Sequence, residues 1–333
     1  MCCPWISLSN SEIALSDFES RGSSVAALIR ELRRGVFPGC VLICGGTGMG
    51  KSALALLLAQ ALLCEEPSYA GRPCGHCKGC RRVRAGTHPD LLTPTETKKK
   101  SIGVDEIRGI LSALQTHALE SDRRAVLLDD ADRLTPQAQN SLLKNLEEHP
   151  PATHFILTTA YETRILSTIR SRVVTVRLAP MPGSALTAWL QAQGLNESAA
   201  AECARLSDGS PGLALTLNAD ESDRALRSLA YDTVFSLVSE EDIPEAEYRL
   251  KDLKDDFDRF LSILERELRL CMRGSPDPRF SARFAEAGPA RLAVLLGHVI
   301  SAEQQRASNV NYQAVLNVLL QSILEEIKKW PLS

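Results

Sequence analysis

Gly45-Gly46-Thr47-Gly48-Met49-Gly50-Lys51-Ser52 is the stretch whose reading decides the fold. It satisfies G-x4-G-K-[ST] and lies between an apolar strand pattern at residues 40–44 and an apolar helical run at 53–64, broken only by Gln60. That strand–loop–helix context gives the motif its meaning as a phosphate-binding loop. Glycines let the backbone fold around phosphates, and the loop N–H groups and the following helix N-terminus point at the anion. Lys51 is placed to reach the β- and γ-phosphates and Ser52 to ligate Mg²⁺, so ATP with Mg²⁺ is the expected ligand.

Outward from this loop, residues 24–178 alternate short apolar runs with amphipathic stretches, as a βα sheet protein does. Strands are expected at 40–44, 125–129, 155–159 and 173–178. Val104, Ile107, Leu111 and Leu114 recur at 3-4-3 spacing and place one apolar stripe on a helix. Thr135 as N-cap and Pro136 as first helical residue start another, which carries Leu142, Leu143 and Leu146 and stops before Pro150-Pro151. A P-loop site also needs a carboxylate at the end of a neighbouring strand to hold the metal, and Asp129 is that candidate. Asp130 stands where ATPases of this type carry the glutamate that polarises the attacking water. It is one methylene shorter, so weak hydrolysis is expected, since a displacement of about 1 Å lowers rates about a hundredfold.

Cys64, Cys74, Cys77 and Cys80 are spaced C-x9-C-x2-C-x2-C, four soft ligands able to close a tetrahedral Zn²⁺ site. Four thiolates leave no position for water, so such a metal is structural and pins the insertion at 64–80. His76 or His88 is the alternative fourth ligand. Cys40, Cys44, Cys203 and Cys271 read as ordinary small residues of strands and helices.

Pro180-Met181-Pro182-Gly183 reads as a hinge, beyond which helical spacing replaces strand patterns. The expected domains are 1–180, 181–222 and 223–333, the last closed by a helix at 312–330. The 333 residues are 44% hydrophobic and 24% charged, room for two or three domains of a globular protein. A formal net charge of −3 excludes a tight nucleic-acid binder acting alone. The one charge run, Lys98-Lys99-Lys100, reads as a solvated loop. The first residues lack the basic and apolar regions of a secretory signal, and the run at 53–64 falls short of the ~20 residues that span a bilayer, so a cytoplasmic, membrane-free protein is expected.

The P-loop, the cysteine module, Gly86-Thr87-His88-Pro89-Asp90-Leu91, 101–108, Asn140-Ser141-Leu142-Leu143-Lys144-Asn145-Leu146-Glu147-Glu148 and Ile169-Arg170-Ser171-Arg172 resemble, in order and spacing, the bacterial clamp-loader subunits, which are AAA+ proteins. Gly209-Ser210-Pro211-Gly212 and Ser308-Asn309-Val310-Asn311 look like that family's lid and collar. The resemblance implies an α/β fold: an AAA+ P-loop parallel-sheet domain with a zinc module, then a small helical lid and a C-terminal helical collar. It implies membership in a hetero-pentamer with gamma/tau and delta subunits that uses ATP to place a ring-shaped sliding clamp on primed DNA. Ser171-Arg172 then corresponds to the element whose arginine reaches the ATP of the adjacent subunit, a finger donated in trans worth about 10³ to 10⁵ in rate. Thr159 matches the polar sensor of the γ-phosphate.

Two departures bear on turnover. Leu213 stands where motor subunits carry a nucleotide-sensing lid arginine, and Asp130 replaces the glutamate. Both imply a weakly hydrolysing subunit, not the gamma/tau motor, whose chains also often extend beyond the collar. Val173 in place of the family's cysteine after the finger is expected to alter packing alone. A nucleotide kinase with a zinc lid is a third reading, opposed by the length of the helical C-terminal part and by the trans-finger motif.

Overall fold

The computed structural model describes residues 13–66, 73–94, 101–148, 150–219, 221–254, 256–274, 280, 284, 286–308 and 310–330. Lys98-Lys99-Lys100 and Asn309 lie outside them. Two compact units form, one of residues 1–200 with 208–213, the other of 201–207 with 214–333.

Five strands build the sheet of the first unit: β1 (Cys40–Cys44), β2 (Leu91–Leu92), β3 (Arg124–Leu128), β4 (Thr153–Thr159) and β5 (Val174–Arg177). Their order is β2-β3-β4-β1-β5, and every pair is parallel, with Cys40 opposite Phe155 and Val41 opposite Val174. Side chains alternate between the two faces. Val41, Ile43, Ala125, Leu127 and Ile156 pack with helices α2 (Ser23–Arg33) and α3 (Lys51–Leu62), the latter preceded in the chain by α1 (Ser16–Glu19) and α2. Cys40, Leu42, Val126, Leu128, Phe155 and Leu157 pack on the other face with residues from 102 to 169. Both faces are therefore covered, and the strands read as continuous apolar runs for that reason.

Between β1 and β3 the chain forms α4 (Lys78–Arg84) and α5 (Val104–Ala113); α6 (Pro136–Glu147) and α7 (Ser167–Arg170) flank β4. Thr135 caps α6 by accepting the N–H of Ala138 at 3.2 Å, and Pro136 follows, as the sequence predicts. β2 is missing from the sequence reading because two residues are too short to show alternation. β3 ends one residue earlier than predicted: Asp129 leaves the ladder to face α3.

Downstream lie α8 (Gly183–Ala192), α9 (Glu197–Leu206), α10 (Pro211–Ala219), α11 (Glu221–Thr233), α12 (Ile243–Leu250), α13 (Phe257–Met272), α14 (Pro289–Ala307) and α15 (Tyr312–Lys328). Among the described residues no strand follows β5, as expected beyond the hinge. The second unit's core is helical, with Tyr231, Phe235, Phe280, Phe284 and Trp330 clustered among aliphatic side chains. Inside it Glu267 is fully buried and meets the Tyr231 hydroxyl at 2.7 Å and Arg205 at 3.3 Å. A parallel sheet with the P-loop at a strand end, followed by helices, is the α/β architecture that the resemblance implies. Among the described residues no helix is long and apolar enough to cross a membrane.

Candidate functional site

The P-loop leaves the C-terminal end of β1, and Asp129 leaves that of β3, with the end of β4 between them. Ligands of open parallel sheets bind at these carboxyl ends. Face parity then decides what meets. Asp129 continues the face of Ala125 and Leu127, which α3 covers, and its Oδ1 accepts the Ser52 hydroxyl at 2.8 Å. Thr158 shares that face through Ile156; its hydroxyl donates to the same Oδ1 at 2.6 Å and accepts the N–H of Asp130 at 2.9 Å. Ser52 and Asp129 offer hard oxygen donors side by side, a set that suits Mg²⁺.

Lys51 is buried, and its Nζ donates to the Gly46 carbonyl at 2.9 Å. Burial lowers its ammonium below the ordinary lysine range, while Asp130, Asp129 and Asp132 pull it back up. The same crowd acts in reverse on Asp130, whose carboxyl is raised by burial and by Asp129 and Asp132. Asp130 also sits at φ 50°, a left-handed conformation that aspartate tolerates better than most residues.

Thr159 presents its backbone to the P-loop, accepting the Gly45 N–H at 3.2 Å. Its hydroxyl is turned to the opposite face, where it donates to Asp132 Oδ1 at 2.8 Å. The hydroxyl beside Asp129 is that of Thr158. Sequence reasoning passed over Thr158 and Asp132, although counting parity from Ile156 separates the two threonines.

The turn at 208–213 lies against the outer side of the P-loop. Ser210 Oγ donates to Thr47 O at 3.2 Å, and Gly212 N–H donates to Gly48 O at 2.9 Å. Gly48, at φ +76°, has no room for more: a Cβ there would stand 2.6 Å from Ser210 Oγ and 3.1 Å from Leu213 N. The backbone of Leu213 is thus beside the loop, and the side chain there is uncharged. Arg21, almost wholly buried, braces the same loop from its other end through Met49 O at 3.2 Å and Ala179 O at 2.8 Å; burial lowers its guanidinium to about 10.

Arg172 is not part of this cluster. It follows α7, and its guanidinium pairs with Glu147 at the end of α6 through Nε and Nη2. Its Nη1 donates to Thr168 O at 2.9 Å and to Ser171 Oγ at 3.2 Å.

The four cysteines of the spacing motif come together, with their sulfurs all within 4.8 Å of one another. Cys64–Cys77 and Cys74–Cys80 are each 3.9 Å apart, close to the roughly 3.8 Å edge of a tetrahedron with Zn–S bonds of about 2.3 Å. Gly75, at φ +77°, turns the Cys74–Cys77 knuckle, and backbone N–H groups of Cys74, Cys77 and Cys80 point at the sulfurs of Cys64, Cys74 and Cys77. Four adjacent sulfurs cannot all be anionic without a cation. Burial would raise Cys77, but N–H bonds from Cys80 and Glu65 and the thiols of Cys74 and Cys80 outweigh it and bring it to about 6, while burial drives Cys80 and Cys64 upward. The donor chemistry and spacing fit zinc. His76 is exposed and bonds Cys74 O at 2.8 Å, and His88 is buried with its Nδ1 accepting the Asp90 N–H at 3.1 Å, so neither displaces a cysteine.

Residues 21–182 match the family model described as DNA polymerase III, delta subunit. Over those residues, just under half of its length, the chain is similar to that family. Relatives named DNA polymerase III subunit delta' include those of Escherichia coli K12, 40% identical over 58% of this chain and 58% of that one, and Pseudomonas aeruginosa, 41% identical over 51% and 52%. The Bacillus subtilis protein of the same name is 36% identical over 43% and 42%. The chain spans about half the length of the curated relatives it matches. Among solved structures, a gamma subunit-related DNA polymerase III protein of Thermotoga maritima is 19% identical over 90% of this chain and 99% of that one, with a TM-score of 0.41, too slight a likeness to carry a reading of the site.

Proposed function

We propose that this chain is a delta'-type subunit of the bacterial clamp loader, holding nucleotide at its own P-loop with little or no turnover and acting through Arg172 on the ATP of a neighbouring subunit. The observation that carries the reading is the imbalance of the site. Binding parts are assembled in Lys51, Ser52 and Asp129. The turnover parts are not: Asp130 is short, and the lid position beside Gly48 is Leu213. The P-loop N–H groups and Lys51 would hold the phosphates, and Ser52 with Asp129 the Mg²⁺; ATP bound here would be retained with little or no hydrolysis, and the phosphoryl group transferred to water would be that of the neighbouring subunit's ATP.

In this reading 181–222 is the lid and 223–333 the collar that joins gamma/tau and delta subunits in a hetero-pentamer, which loads the sliding clamp on primed DNA in the cytoplasm. Cys64, Cys74, Cys77 and Cys80 hold a structural Zn²⁺. Arg172 supports the trans role because its polar partners, Glu147, Thr168 and Ser171, lie outside its own nucleotide site. The gamma/tau motor is the alternative, favoured by the complete P-loop and the Ser52–Asp129 bond. Nucleotide binding and hydrolysis by the purified chain, alone and with gamma/tau, delta, clamp and primed DNA, separate the two. The delta' reading expects negligible turnover alone, and an R172A complex that hydrolyses ATP slowly while this chain's own nucleotide affinity is intact. Robust turnover alone, or an unchanged R172A complex, overturns it.

A further inference from the structure

We propose that Glu147 is a positioning residue for Arg172, fixing the guanidinium so that its uncommitted edge is offered outward; this rests on reading Arg172 as a finger. The helix that ends at the finger, α7, has four residues, far below the length at which a helix holds itself in water. Its direction is imposed by α6 at both ends. Upstream of α7, the buried amide of Gln139 donates to Arg164 O at 3.1 Å and accepts the Leu166 N–H at 2.8 Å. Between the clamps Ile169 is fully buried. Downstream, Glu147 takes the Nε and Nη2 side of Arg172, and Thr168 O and Ser171 Oγ take Nη1.

A guanidinium has five N–H donors, and among the described residues this arrangement leaves one Nη2 N–H for a group outside the chain. The side chain of Arg172 is 34% exposed, and that of Glu147 46%. A long arginine at the end of a single turn of helix would otherwise sample many rotamers. The carboxylate removes that freedom before a neighbour arrives, and lost order is what a misplaced catalytic group pays for in rate. Because the pair is exposed, its effect is modest, about two- to fivefold in the range of surface ion pairs.

The test is the assembled complex carrying E147Q, R172A or both. E147Q is expected to lower kcat for ATP about two- to fivefold with KM unchanged, and to weaken binding of ADP–aluminium fluoride, a mimic of the transferring phosphoryl group, by the same factor. E147D should recover part of the loss, and in the R172A background E147Q should add nothing. Unchanged or faster turnover in E147Q overturns the proposal, as does an equal loss in the R172A background. An R172A complex with parental turnover removes the finger reading itself, and the positioning role with it.

Discussion

Replacing Asp90 with asparagine tests how the first unit holds its β3 end. Asp90 is 1% exposed, and its side chain accepts three backbone N–H groups, from Leu119 at 2.7 Å and from Glu120 and Ser121 at 2.9 Å each; Arg124 Nε stands 3.8 Å away. Those bonds turn the chain out of α5 and into β3. Burial would raise the carboxyl, yet the three N–H bonds and His88 outweigh it and hold it below the usual carboxylate range. Asparagine keeps the shape but removes the charge and aims an NH₂ at N–H donors. Hydrogen bonds to a charged group contribute about 1.5–3 kcal/mol each, so losing the one at Oδ1 and reducing the two at Oδ2 to neutral bonds should destabilise the unit by about 3 kcal/mol. At a urea slope of about 2 kcal/mol/M the midpoint falls by about 1.5 M.

The pH dependence supplies the second arm. A depressed folded pKa means that the contribution is complete above the unfolded value, about 4, and is lost as pH falls through the folded value. Parent and D90N should therefore differ fully at pH 7 and converge on acidification below about pH 4. Urea titration of the full chain, read by hydrogen exchange in peptides of β3 and β4, reports this unit separately from the other. A midpoint shift under about 0.3 M at pH 7, or a shift undiminished by acid, would refute the reasoning.

Metal analysis of reduced protein should find about one zinc per chain, and Cys74→Ser should lose it together with protease resistance at 64–80; a folded, reduced, metal-free chain contradicts the site. Glu267→Ala should destabilise the second unit by about 3 kcal/mol, because it strips a buried partner from Arg205 and Tyr231; hydrogen exchange in α13 checks this, and a loss below about 1 kcal/mol counts against it. Asp130→Glu combined with Leu213→Arg should raise ATP turnover of the isolated chain about tenfold or more, and a flat result would put the block elsewhere than in reach and charge.

The loop, the carboxylate strand and the cysteine cluster were legible because each is a contiguous or tightly spaced pattern with one local conformation behind it. What escaped was set by partners distant in sequence. Gln60 reads as an interruption of an apolar run, yet its amide donates to Cys80 O at 3.0 Å and ties α3 to the cysteine module. Asp90 belongs to a recognisable motif, but its N–H partners lie 29 to 31 residues away. Thr158 and Thr159 are identical in composition and adjacent, and only the face of the sheet distinguishes the one beside Asp129 from the one beside Asp132. Glu147 is one of two adjacent acids at the end of α6, and nothing in its neighbourhood along the chain marks it as the partner of Arg172.

The same distant contacts change what an intact P-loop implies. Its residues carry structural duties that need no nucleotide: Thr47 and Gly48 carbonyls receive the turn at 208–213, Met49 O receives Arg21, and Ser52 caps Asp129. A side chain at position 48 would collide with Ser210 whether or not ATP were ever hydrolysed. The motif is therefore strong support for the fold and for a phosphate cradle, and weak support for turnover. Turnover needs a carboxylate that reaches the attacking water and a cation that meets the developing charge. Position 130 is a carboxylate short by one methylene, position 213 has no charge, and Arg172, the cation proposed to meet developing charge, is bonded to Glu147, Thr168 and Ser171 and not to the P-loop.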